Sequence, residues 1–218
     1  MGNSANSKLI LEKKEDGLTL TDGILSMKGD FTDMIPRLRP NNLNGEILVR
    51  AAKGKSNAGG GLFAIDATAG MGEDALLLAA AGFTVRLYEK DPVIAALLAD
   101  TVERAKSVPE LSDSVSRMTV IHGDSIEAMK NTDIKPDVIL LDPMFPKREK
   151  SGLIKKKFQL IQQLEKPCDD EVLLLEAAMA AKPSKIVIKR PAKGPYLAGR
   201  KPSYSINGKS IRYDVIVL

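Results

Sequence analysis

The sequence predicts an α/β fold: a mostly parallel sheet that ends in an antiparallel hairpin. Three observations carry that expectation. Short apolar runs alternate with helical stretches from Leu62 to Lys189, the pattern of a parallel sheet with helices on both faces. The turns that bear acids and glycines follow those runs at their carboxyl ends, where open sheets of this kind hold ligands. The final stretch SYSINGKSIRYDVIVL contains Asn207-Gly208, a strong two-residue hairpin signal.

The elements follow in order. KLILEKK and LTLTDGILSM alternate apolar and polar residues around the turn signals EDG and TDG, so a small β element opens the chain. A short helix is expected near Gly45 to Lys53, and SNAGGG is a break. LFAID is then a strand, EDALLLAAAG a helix closed by Gly82, and FTVRLYE a strand. DPVIAALLADTVERAKS is a helix with Asp91 as its N-cap and Pro92 at its first position. MTVIHG, DVILLD and KIVIK continue the strands, with SIEAMK and DDEVLLLEAAMAA as the helices between them. Residues 1–44 are expected to form a β-hairpin extension and residues 45–218 the main domain.

Composition narrows the function classes. In 218 residues, 44% are apolar and 28% charged, an ordinary globular balance. The net charge of +4 permits a polyanionic partner without requiring one. Cys168 is the only cysteine, which excludes an internal disulfide and fits a reducing compartment. With one histidine as well, a transition-metal site is not expected. No apolar run approaches the roughly 18 residues of a membrane span. The N-terminus lacks a signal-peptide core, and Asn6 stands where a myristoylation pattern needs Ser or Thr. A cytoplasmic location is the expectation.

The first strand exit, IDATAGMGEDA, brings together Asp66, Thr68, Gly70 and Gly72. Gly70-Met71-Gly72-Glu73-Asp74-Ala75 fits a dinucleotide-binding pattern, and Glu89 lies 19 residues beyond Gly70, where a ribose-binding carboxylate is expected. The same geometry serves S-adenosylmethionine. Two features favour that methyl donor over NAD. Asp66 can meet a cationic amino or sulfonium centre, and Glu73 and Asp74 would repel a pyrophosphate at the helix start. At the third exit Asp124 and Ser125 are placed to meet an adenine edge, or simply to cap the next helix. His122, at the end of its strand, reads as a core residue and receives no role.

The fourth exit, VILLDPMFPKREK, carries the chemistry. The lone pair of an exocyclic base amine is delocalised into the ring. The Asp142 carboxylate can accept one N–H and a backbone carbonyl the other, which localises that pair. Pro143 stiffens the turn and leaves its own carbonyl free. Phe145 offers a face on which an unstacked base can rest, worth ~1–3 kcal/mol.

At these residues the chain resembles class I amino-methyltransferases, whose mark is an Asp/Asn-Pro-Pro-Tyr/Phe motif. DATAGMGEDA, YEKDPVIAALL, DPMFP, KSGLIKKKFQ and VIKRP are similar, more specifically, to the ribosomal RNA small-subunit methyltransferase J family, over roughly residues 45–215. The resemblance implies a Rossmann-like sheet with a terminal hairpin and an S-adenosyl-L-methionine cofactor. It also implies an N2-methylguanosine product in small-subunit rRNA or a ribosomal particle. Donor contacts would fall on Glu73, Asp74, Glu89, Lys90, Asp124, Ser125 and Asp142. Glu73 stands where the family usually has arginine.

The run from Lys147 to Lys157 holds Lys147, Arg148, Lys150, Lys155, Lys156 and Lys157 against one acid, Glu149. It starts beside the stacking aromatic, which points to RNA phosphates. Lys189 and Arg190 are expected to extend the patch, with Lys193, Arg200, Lys201, Arg37 and Arg39 as further additions. Rival readings are an adenine-N6 or small-molecule amino-methyltransferase, a nucleotide-binding oxidoreductase, and an RNA-binding protein with a relic pocket.

Overall fold

The computed structural model describes residues 9–53, 61–144, 160–161, 163–164 and 170–218. Its centre is a seven-stranded sheet of strands β4 (Leu62–Asp66), β5 (Phe83–Glu89), β6 (Met118–His122), β7 (Val138–Leu141), β8 (Lys185–Pro191), β9 (Tyr204–Asn207) and β10 (Ile211–Val217). Their spatial order is β6-β5-β4-β7-β8-β10-β9. The first five strands run parallel, and β10 lies antiparallel between β8 and β9. β4 therefore pairs with β5 on one side and β7 on the other, and the order of strands reverses at the exits of β4 and β7. That reversal opens a crevice in doubly wound sheets.

Alternation along the strands builds two cores. Leu140 and Val187 face one cluster with helix α4 (Glu73–Ala80), while Leu141 and Ile188 face the other with helix α8 (Glu171–Ala180). The runs are apolar on both faces because both faces are covered. Helix α5 (Pro92–Ala105) starts as expected: the Asp91 carboxylate accepts from the N–H groups of Val93 and Ile94, with Pro92 at the first position. Gly82 closes the turn after α4 at φ +99°, donating to the Ala79 carbonyl. Helix α7 (Ser125–Lys130) is capped by Asp124.

The chain opens with an antiparallel sheet of β1 (Ile10–Lys14), β2 (Gly17–Thr21) and β3 (Ser26–Met27). Leu20 and Met27 pack against Ile94 and Leu97 of α5, and Arg104 donates to the Gly29 carbonyl at 2.6 Å. Short helices α1 (Ile35–Leu38), α2 (Pro40–Gly45) and α3 (Ile47–Lys53) follow. The helix expected from Gly45 starts two residues later, because Glu46 is in an extended conformation between α2 and α3. Helix α6 (Pro109–Val115) has no counterpart in the sequence reading. It is only seven residues long and buries Leu111 and Val115 as one short apolar stripe.

Candidate active site

The exits of β4, β5, β7 and β8 and the start of α4 converge on one crevice. The loop after β4 is held from three sides. Ala67 donates to the Leu140 carbonyl of β7 and Ala69 to the Tyr88 carbonyl of β5. The Gly70 N–H reaches the Glu89 carboxylate at 2.9 Å. The other Glu89 oxygen accepts from the Asp91 N–H at 2.8 Å, so one side chain ties the loop to the start of α5. A carboxylate has about four acceptor sites, so Glu89 keeps capacity for ligand hydroxyls.

The two loop glycines do different work. Gly70, at φ +51°, faces open space among the described residues, as does Gly123 at the β6 exit. Gly72, expected on the ligand side, faces the core. At φ +79° an added Cβ would lie 2.5 Å from Leu98 Cδ1 and 3.3 Å from Phe31 Cζ. Its lack of a side chain lets the N-terminal segment and α5 close beneath the loop.

Asp142 follows β7, and its N–H donates to Thr68 Oγ1 at 2.7 Å, joining the two strand exits. Pro143 is buried beside it. Lys189 Nζ sits 2.9 Å from Asp142 Oδ2 and 2.8 Å from Asp74 Oδ2. Burial pushes the Asp142 carboxyl above the usual range; the Lys189 charge and hydrogen bond oppose the shift, and Asp74 adds to it. Burial works against the Lys189 charge, but Asp74 and Asp142 outweigh it and leave its pKa raised. Asp66 lies beneath, 2% exposed and accepting from the Thr68 N–H. Burial pushes its carboxyl up to about 8, reinforced by Asp74 and Asp142 and opposed by the Thr68 N–H and Lys189.

Other expected residues also fall near this region. Lys90 pairs with Asp124 at 2.9 Å, bridging the β5 and β6 exits, and Ser125 begins α7. Glu73 is exposed in the first turn of α4. His122, read as a core residue, is exposed at the end of β6, the edge strand of the sheet.

Two basic residues depart from the phosphate patch. Arg190 is 1% exposed, donates to Glu171 and the Pro195 carbonyl, and cannot reach an RNA phosphate. Lys189 is engaged with the two carboxylates. Lys193, Arg200, Lys201 and Arg39 are exposed, whereas Arg37 makes a two-pronged pair with Glu46 at 2.7 and 2.8 Å. Phe145, the basic residues from Lys147 to Lys157, and Cys168 lie outside the described residues. Sequence reasoning missed Tyr213, which is buried where β10 pairs with β8 opposite Lys189, its hydroxyl pKa raised by burial and by Asp74. Only the register shows that proximity. Among the described residues no helix is long and apolar enough to cross a membrane, and no three His, Cys, Asp or Glu residues are grouped to hold a metal.

Comparison with known proteins bears on the family and the fold. A family model described as putative SAM-dependent methyltransferase matches residues 1–218. The ribosomal RNA small subunit methyltransferase J of Pseudomonas fluorescens is 46% identical over 152 residues, covering 69% of this chain and 58% of that protein. The chain thus spans under three fifths of the length of that relative. The protein of the same name from Thioalkalivibrio sulfidiphilus is 39% identical over 224 residues, covering 99% of this chain and 87% of the relative. The crystal structure of a SAM-dependent methyltransferase from Neisseria gonorrhoeae superposes with TM-score 0.78 at 31% identity, covering 100% of this chain and 86% of that one. The rRNA methyltransferase aviRa of Streptomyces viridochromogenes shares the fold, with TM-score 0.52 at 16% identity over 82% of this chain and 84% of that one. On a match over its whole length and relatives of this identity and coverage, the chain belongs to the ribosomal RNA small subunit methyltransferase J family of putative S-adenosylmethionine-dependent methyltransferases.

Proposed function

We propose that the protein methylates the exocyclic N2 of a guanosine in small-subunit ribosomal RNA, with S-adenosyl-L-methionine as donor. The observation that carries this reading is the position of Asp142. It follows a buried strand at the reversal of the sheet and is tied through Thr68 to the glycine loop of the neighbouring exit.

The residues present fit the donor. Gly70 and Gly123 leave room for close approach, Glu89 retains acceptor capacity for ribose hydroxyls, and Asp66 supplies a buried carboxyl for a cationic group. Thr68, Glu73, Asp74, Lys90, Asp124 and Ser125 complete the proposed donor contacts, with Gly72 shaping the loop from below. When bound, S-adenosylmethionine supplies a methyl group already activated on a sulfonium.

The chain's own residues need only orient the acceptor. Asp142 accepts one N–H of the planar amine and the Pro143 carbonyl the other, so the nitrogen lone pair is localised and aimed. A carboxylate with a raised pKa is better matched to receive a proton at neutral pH. Positioning and electrostatic complementarity then carry much of the rate. Phe145 is proposed as the stacking face, with Lys147, Arg148, Lys150, Lys155, Lys156 and Lys157 as phosphate contacts.

The test is methyl transfer from labelled donor to small-subunit RNA and to assembled subunits, followed by mapping of the modified base. Asp142→Ala is expected to abolish transfer while S-adenosylhomocysteine still binds in calorimetry. Lys155→Ala with Lys156→Ala is expected to weaken RNA binding in a salt-dependent way. Full activity in the Asp142 variant removes the catalytic assignment. A label on adenine N6 redirects the target, and binding of NAD in place of S-adenosylhomocysteine removes the donor.

A further inference from the structure

We propose that Lys189 is a positioning residue for the transfer reaction: its ammonium, seated between Asp74 and Asp142, holds the Asp142 carboxylate charged and oriented to accept the target amine. The inference rests on the reading that Asp142 receives that amine.

The sheet register delivers the contact. Leu141 of β7 pairs with Ile188 of β8, so Asp142 and Lys189 are the next residues on adjacent parallel strands. Leu140 and Val187 face the cluster under α4, and alternation returns Asp142 and Lys189 to that same face. Asp74 lies in the first turn of α4, over the strand exits. Three separate elements thus bring one ammonium to two carboxylates at 2.8 and 2.9 Å. The Lys189 side chain is 26% exposed. A phosphate-binding lysine presents its charge to solvent; this one commits two of its three N–H groups to the crevice.

The charges around Asp142 make that commitment necessary. Burial acts to keep it protonated, and Asp74 acts the same way. Arg190 is the other cation that acts on Asp142, but its guanidinium lies in the opposite core, engaged with Glu171 and the Pro195 carbonyl. Arg37 acts on Asp74 and is itself spent on Glu46. Tyr213, whose hydroxyl stays neutral under burial, faces Lys189 from β10. Lys189 is thus the cation bonded directly to Asp142 among the described residues. A protonated Asp142 loses acceptor capacity toward an amine N–H, so the cation keeps the acceptor competent.

The experiment compares Lys189→Met, Lys189→Arg, Asp74→Asn and Asp142→Ala with the wild type. The readouts are kcat and KM for methyl transfer to small-subunit RNA across pH, S-adenosylhomocysteine affinity, and thermal unfolding. An opposite charge at contact distance moves a carboxylate by ~1–3 units. Lys189→Met is therefore expected to shift the acidic limb of kcat upward by about one unit or more. Below that limb it costs about tenfold or more in kcat, with recovery at higher pH and RNA KM within about threefold. Lys189→Arg restores most of kcat. Asp74→Asn, which removes an opposing carboxylate, moves the limb downward, and it keeps the proposal testable if the methionine variant does not fold.

An unmoved limb in both Lys189→Met and Asp74→Asn overturns the proposal. So does a Lys189→Met effect confined to RNA KM with a shallower salt dependence, which would return the residue to the phosphate patch. If Asp142→Ala is inactive while Lys189→Met behaves as wild type, the positioning role alone fails. An active Asp142→Ala removes the underlying reading as well.

Discussion

Replacing Asp66 by Asn should leave the shape of the crevice floor intact and change how stability depends on pH. The amide keeps an oxygen that accepts the Thr68 N–H, as Asp66 Oδ1 does at 3.1 Å. Burial raises the wild-type carboxyl from 3.8 to about 8. Because the folded value lies above the unfolded one, the contribution of Asp66 is fully present below about pH 3.8 and is lost as pH rises through about 8. Within that window each pH unit costs the wild type about 1.4 kcal/mol that the variant does not lose. From about pH 5 to about pH 7 the variant should therefore gain about 2.7 kcal/mol relative to the wild type. For a chain of this size that is roughly 5–10 °C in Tm. Urea unfolding of both proteins across this range, plotted as the difference between them, cancels every other titrating group. A difference that stays constant with pH would refute the buried, neutral Asp66.

Two further substitutions test how the site is supported. Gly72→Ala forces a Cβ to 2.5 Å from Leu98 Cδ1 at φ +79°, and should cost about 2 kcal/mol in chemical denaturation and weaken S-adenosylhomocysteine binding. Arg212→Met leaves the buried Asp214 carboxylate without its cationic partner, with the Ser205 hydroxyl still donating to it, and removes the side-chain donor from the carbonyls of Pro191, Ala192 and Gly194. Breaking a buried pair from one side costs about 3–5 kcal/mol, readable as a lower urea midpoint.

The strand exits were legible because their signals are local. Asp91-Pro92, Asp124 and Gly82 each act within a few residues of their own position, and each behaves as its neighbours dictate. The alternation of strands and helices also carried the sheet and its hairpin, since an apolar run covered on both faces differs from a half-exposed one. Contacts between distant strands were not legible. The Lys189–Asp142 pair joins two strands whose alignment no neighbouring residue encodes. Helix α6 and the short helices before α3 were lost for another reason: spans of four to seven residues hold too few turns for a helical period to emerge, and unlike α7 they have no side-chain cap to mark their start.

Lys189 and Arg190 show how one structural fact divides like charges. They are adjacent in sequence and were assigned the same role as phosphate contacts. Adjacent residues on a strand point to opposite faces. Lys189 therefore meets α4 and the crevice, while Arg190 meets α8 and Glu171 in the other core. There it works with Arg212: Arg190 holds the Pro195 carbonyl, Glu171 also accepts from the Ala198 N–H, and Arg212 holds three further carbonyls of the segment after β8. One cation pairs with the two crevice carboxylates and its neighbour braces the segment that carries the exposed Lys193. A count of basic residues along the chain cannot separate these roles, because the separation is made by the pleat of the sheet.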